Sequence, residues 1–182
     1  MTRLSVMTLN AQGLQGKSRF RNFVRAVLDW GRRDEAHVWC VQEHRISPDK
    51  IANKERLCAT KGLKLVASPS TTTVGADGRT HYSGGTLIII YEAAASYLAT
   101  LTTESGLTRV KIDHQGMEHI VASVYAPAQP LQRIDFFNAL KAKTGDATSK
   151  LCKDTIAGGD FNFVPDATPH TRRTRPQFAQ IC

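Results

Sequence analysis

The chain reads as an α/β protein in which at least one sheet is covered on both faces. Three consecutive segments predict this. A strand-length stretch, RLSVMTL (residues 3–9), ends in the polar residue Asn10; a helical pattern follows; then HVWCV (37–41), apolar throughout, stops abruptly at Gln42, Glu43, His44 and Arg45. A strand, a helix and a second strand that is apolar on both faces match a βαβ unit or a sheet sandwiched between layers.

The elements can be justified in order. Asn10, Gly13 and Gly16 mark the loop that closes the first strand. From Ser18 onward Phe20, Phe23, Val24, Val27 and Leu28 recur at helical spacing, while Arg19, Arg21, Asn22, Arg25 and Asp29 take the opposite face; the helix should stop near Gly31. Residues 68–83, SPSTTTVGADGRTHYS, are polar and glycine-containing and read as a long surface loop. GGTLIIIY (84–91) is a buried strand. LTRVKI (107–112), a turn at DHQG and MEHIVASVYAP (117–127) form a hairpin ending at Tyr125 before Pro127. LQRIDFFNALKA (131–142) places Ile134, Phe137 and Leu140 on a helical stripe, and DTIAGGDFN gives a last strand with a polar end.

A chain of 182 residues holds one domain with a sizeable core. Its 41% hydrophobic and 22% charged content is that of a folded protein. The net charge of +8 is clustered at Arg19, Arg21, Arg25, Arg32 and Arg33 and again at Arg172, Arg173 and Arg175, which favours polyanionic partners, nucleic acid first. Cys40, Cys58, Cys152 and Cys182 form no C-x-x-C pair and no zinc spacing, and Cys40 sits in an apolar run, so a reducing, intracellular compartment (nucleus or cytoplasm) is expected. The apolar runs are strand-length, and the N-terminus lacks a secretory pattern; neither membrane insertion nor secretion is expected.

Asn10, Glu43, Tyr125, Asp160 and Asn162 all lie at or just beyond the ends of apolar strands. In α/β sheets that edge gathers ligands, and an oxygen-rich set there suits a hard divalent cation and a phosphate. Taken singly, the residues have plainer explanations: a turn-forming Asn, a solvated Glu, a capping Tyr. GGDFN says more, because its glycines permit close backbone approach and Asp160 and Asn162, two apart on a strand, would share a face.

The blocks TLNAQGL, VQEHR, SGGTLIII, VASVYAP and IAGGDFN, in this order and spacing, resemble the endonuclease/exonuclease/phosphatase superfamily over residues 3 to about 166. QEHR and GGDFN resemble most the endonuclease domains of LINE-type retrotransposons; Ala11 and Gln12 stand where an abasic-site repair enzyme more often shows a carboxylate. The resemblance implies a four-layered α/β sandwich, two packed mixed sheets flanked by helices, and Mg²⁺- or Mn²⁺-dependent hydrolysis of a DNA phosphodiester. It assigns Glu43 to the metal, Asn10 to metal and phosphate, Tyr125 and Asn162 to the phosphate, and Asp160 to the attacking water. Gly84 and Gly85 match a family position, and a strand-entry turn explains them equally well.

The family's later aspartate and Asp-His pair have no counterpart before Cys182, so the expectation is a domain over 1–166, incomplete at its C-terminus, followed by a basic tail or the start of a further segment at 167–182. Asp113 and His114 read as turn residues, His44 as a surface histidine at the strand end and His170 as part of the basic tail; His37, His81 and His119 have no evident partner. An incomplete second sheet would leave an edge open to self-association and a poorly soluble chain. Two alternatives to a DNA endonuclease stand beside it: a catalytically silent remnant that binds nucleic acid, and a phosphatase for a small phosphate ester.

Overall fold

A computed structural model describes residues 3–144 and 155–162. In chain order the elements are β1 (Val6–Asn10), α1 (Lys17–Arg32), β2 (Val38–Gln42), α2 (Pro48–Ala59), β3 (Leu63–Ala67), β4 (Thr71–Val74), β5 (Thr80–Ser83), β6 (Thr86–Tyr91), β7 (Ser96–Glu104), β8 (Leu107–His114), β9 (Met117–Tyr125), α3 (Pro130–Thr144) and β10 (Thr155–Asp160). The first sheet runs β1-β2-β6-β3 and the second β10-β9-β8-β7. Each is mixed, with one parallel pair, β1 with β2 and β10 with β9.

The sheets pack face to face, because their strands carry apolar side chains toward each other: Val38, Cys40, Ile88 and Ile90 from the first meet Val110, Ile112 and Val121 from the second. On the outer face of the first sheet, Trp39, Val41, Leu65 and Ile89 receive Phe20, Val24 and Val27 of α1. Phe20 and Val27 are fully buried there, each stabilising by about 1.5–3 kcal/mol relative to exposure. Helix α2 packs on β3. Phe136 and Leu140 of α3 cover Leu107, Ala122 and Val124 on the outer face of the second sheet. The expected four layers, helix, sheet, sheet and helix, are therefore present, and the doubly apolar HVWCV is explained by its place between two of them.

Gly158 of IAGGD lets β10 cross β1 and β2 closely, and Gly159 lets it lie close to β9. A Cβ at residue 158 would lie 3.2 Å from those of Thr8 and Cys40, and one at 159 would come within 2.2 Å of the Val124 carbonyl oxygen. The strand that delivers Asp160 thus sits directly over the strands that deliver Asn10 and Glu43.

Several sequence expectations are corrected. The 68–83 segment is not a bare loop: β4 and β5 form a separate antiparallel hairpin within it. Asp113 and His114 belong to β8, and the turn is Gln115–Gly116, both at positive φ as a two-residue hairpin turn requires. His114 is buried, and its Nδ1 lies 2.8 Å from the Ala94 carbonyl oxygen. His37, expected to lack a partner, is fully buried, with Nε2 against Asp34 and Nδ1 accepting from the Ser5 N–H. On α3, Ile134 faces solvent while Phe136 packs inward. Arg172, Arg173, Arg175, His170 and the whole of 167–182 lie outside the described residues. Among the described residues no helix is long and apolar enough to cross a membrane.

Candidate functional site

Parallel pairing aligns the polar ends. Asn10 is in register with Gln42 at the end of β1 and β2, so Glu43 follows at the same edge; Asp160 is in register with Tyr125 at the end of β10 and β9. Because β1 packs on β10, the two pairs of strand ends meet. Beneath them Gln42, buried between the sheets, donates from Nε2 to Ser123 Oγ at 3.1 Å and accepts from Thr8 Oγ1 at 3.3 Å, tying both sheets together under the site. An amide closing an apolar strand was the signal for this residue.

The Asn10 side-chain nitrogen bridges the two carboxylates, donating to Glu43 Oε1 at 3.1 Å and to Asp160 Oδ2 at 3.2 Å. Its amide oxygen is turned the other way and accepts from the Gln12 N–H at 3.1 Å. The second Glu43 oxygen accepts from the Arg45 guanidinium, and the second Asp160 oxygen from the Asn162 N–H at 3.1 Å. Every carboxylate oxygen of the pair therefore faces an N–H donor. Burial pushes the Glu43 carboxyl up, but the Asn10 and Arg45 hydrogen bonds, the Arg45 charge and the Tyr125 hydroxyl outweigh it and hold the group below its ordinary range. Burial first, then Glu43 and Asp160, push the Tyr125 phenol up, so it stays a protonated donor at neutral pH.

The turn that carries Glu43 and Arg45 is built around His44. Both flanking residues have left-handed backbones, at φ 51° and 52°. His44 is fully buried, its Nε2–H donating to the Ser68 carbonyl at 2.9 Å and its Nδ1 accepting from the Ile46 N–H at 2.9 Å. This corrects the expectation of a surface histidine. The ring fits because residue 85 is glycine: a Cβ there would lie 2.4 Å from His44 Nε2.

The structure thus brings Asn10, Glu43, Tyr125 and Asp160 together with the Asn162 backbone N–H, and turns the Asn162 side chain away. Strand β10 ends at Asp160, and Asn162 follows with φ 49°, so the two do not share a strand face. The Asn162 amide donates to the Ala126 carbonyl at 2.6 Å and holds the chain rather than the pocket.

The expected Mg²⁺ or Mn²⁺ site is also corrected. Among the described residues no group of three or more His, Cys, Asp or Glu side chains is placed to hold a metal ion. The donor chemistry agrees: a hard cation needs converging oxygens, whereas the space between the carboxylates is filled by the Asn10 NH₂ and flanked by a guanidinium.

Two face-packed mixed sheets with outer helices, carrying Asn10, Glu43, Tyr125 and Asp160 at the shared ends of their parallel strands, define a four-layered α/β sandwich with a polar cluster at one edge. The sequence profile of the Endonuclease/Exonuclease/phosphatase family matches residues 7–179, and the chain belongs to that family. No curated protein sequence matches it. Similar solved structures include the human Nocturnin catalytic domain with bound sulfate (15% identity, TM-score 0.60, 90% of this chain and 65% of that one). Another is the Neisseria 3′ phosphatase NExo bound to a product DNA hairpin (17%, 0.57, 90% and 59%). The endonuclease domain of TRAS1, a telomere-specific non-LTR retrotransposon, is a third (20%, 0.50, 87% and 60%). The chain spans 59–65% of the length of these three, and at such identities the likeness is one of fold.

Proposed function

We propose that this chain is a nucleic-acid-binding form of the endonuclease/exonuclease/phosphatase fold that holds the phosphate backbone without cleaving it. The observation that carries this reading is the Asn10 amide nitrogen standing between the Glu43 and Asp160 carboxylates, with the Arg45 guanidinium and the Asn162 N–H on their other oxygens. Each carboxylate oxygen keeps a second lone pair, but the position between the two groups, where both would grip a cation or a water, is held by the Asn10 amide. The net charge of +8 supplies attraction for a polyanion, and the Neisseria phosphatase shows the fold accommodating DNA. Of the retrotransposon resemblance carried by QEHR and GGDFN, the reading keeps the DNA partner and leaves the nicking activity aside. Asn10, Tyr125 and Asn162 keep architectural roles here: a bridge, a donor at the pocket and a loop tie.

Two assays on the full chain test this. Fluorescence anisotropy with a labelled DNA oligonucleotide in EDTA should show binding that is tight at low salt and weakens steeply to a Kd of about 10⁻⁶ to 10⁻⁴ M at physiological salt. Supercoiled plasmid incubated with the chain, with and without added Mg²⁺, should stay supercoiled. Nicking that Glu43→Gln abolishes would overturn the non-cleaving reading, and absence of binding at low salt would overturn the nucleic-acid reading.

A further inference from the structure

Beside the carboxylate pair lies a cleft of about 470 Å³, within the range of small-molecule sites. Its walls are the loop between β1 and α1, the start of α2 and the β4–β5 hairpin. Three cations line it, Arg19, Arg45 and Lys50, and no carboxylate does. Arg45 links it to the site: one guanidinium nitrogen is on Glu43, while its Nε is buried and has no hydrogen-bond partner among the described residues. The hairpin contributes His81 and the half-buried Tyr82 to the same lining.

Arg45 shares its charge with Glu43, while Arg19 and Lys50 add two further cations to the same walls. Lys54, one helical turn beyond Lys50 on α2, has its pKa lowered by burial and then by Lys50 and Arg21, which crowd it; Cys58 opposes them. Cations and an aromatic ring in one cleft are the equipment that single-stranded nucleic acids meet elsewhere, a backbone electrostatic wall and a stacking platform. Because Tyr82 forms part of a concave wall, a base reaches its face only when it is unpaired and free of its own stack.

We propose that this cleft binds one unpaired nucleotide of a nucleic-acid strand, its phosphate between Arg45 and Lys50 and its base against Tyr82. The proposal rests on the nucleic-acid-binding reading above and adds to it a strand preference and a place. Duplex DNA meets only the cationic rim.

The test is anisotropy in EDTA with a labelled single-stranded oligonucleotide and its duplex, using the wild-type chain and the variants Lys50→Ala, Tyr82→Ala and Tyr82→Phe, with thermal melts to confirm that each variant folds. The wild type should prefer the single strand. Tyr82→Ala should weaken single-strand binding about tenfold, Tyr82→Phe should leave it unchanged, and Lys50→Ala should flatten its salt slope by about 0.7. If the wild type binds but Tyr82→Ala or Lys50→Ala matches it, or if duplex is preferred, the cleft assignment falls and the broader reading stands. If the wild type binds neither oligonucleotide, both fall together.

Discussion

At the scale of single residues, the arrangement around Glu43 depends on a histidine and a glycine that are strangers in sequence. His44 is held by Ser68 and Ile46, and residue 85 contributes by having no side chain. Gly85→Ala would place a methyl 2.4 Å from His44 Nε2 and 2.9 Å from Ser70 Oγ, at φ +77°. Overpacking and left-handed strain each cost about 1–3 kcal/mol. The variant should therefore lose about 3 kcal/mol in urea unfolding, as a lower midpoint with an unchanged slope. A loss under about 1 kcal/mol would mean that the His44 ring moves freely and does not pin the turn. Asn10, Glu43 and Asp160 were legible in the sequence because each interrupts an apolar run at its end. What was not legible is that an amide nitrogen would stand between the two carboxylates, since that depends on how β10 lies over β1 rather than on any local pattern. The burial of His44 was hidden for the same reason: its neighbours arrive from the turn before β6 and from the segment after β3.

At the scale of elements, strands with one clear periodicity and α1 with its apolar stripe were readable, and α2, β3, β7 and the β4–β5 hairpin were not. Helix α2 exposes most of its length and buries Cys58 among few apolar positions, so its stripe is faint, although Ser47-Pro48 gives a start signal. Strand β7 is an edge strand whose pairing with β8 is broken by two register shifts, which scrambles alternation. Threonine-rich β4 and the polar β5 are almost wholly exposed and carry no apolar face to detect. The loop leaving β2 has its own pH signature. Burial pulls the His44 pKa from 6.5 down to about 4, against the raising effect of its bond to Ser68. The folded state thus holds the neutral ring while the unfolded chain protonates below pH 6.5. Stability should be complete above about pH 6.5 and fall between there and pH 4, by on the order of 3 kcal/mol. Glu43, whose carboxyl is held low, has the same sign but acts only below the ordinary carboxylate range. Urea midpoints between pH 4 and 7.5 would check this. His44→Gln should be less stable at pH 7.5 yet show a flatter profile across that window, and an equally steep profile in the variant would assign the loss to other groups.

At the scale of the whole molecule, the sign of the charge matters less than its distribution. Near the C-terminal end of α1, Arg32 pairs with Asp29 at 3.8 Å and Arg33 with Glu35 at 2.9 Å, so those arginines present little net field. At the other end of α1, Arg19 and Arg21 stand with Lys50 and Lys54 of α2, close enough that Lys50 and Arg21 lower the Lys54 pKa after burial has done so. Lys54 keeps its place by lying over the Phe20 ring, 4.3 Å from its centroid. Counterion release counts phosphates actually neutralised, about 0.7–0.9 in the logarithmic salt slope for each. Two double variants with the same change in net charge should therefore separate. Arg21→Gln with Lys54→Gln should flatten the slope of DNA binding by about 1.4–1.8, whereas Arg32→Gln with Arg33→Gln should leave it within experimental error. Equal flattening in both would show that the chain attracts nucleic acid through its overall charge, with no preferred face, and would detach binding from the strand-end site altogether.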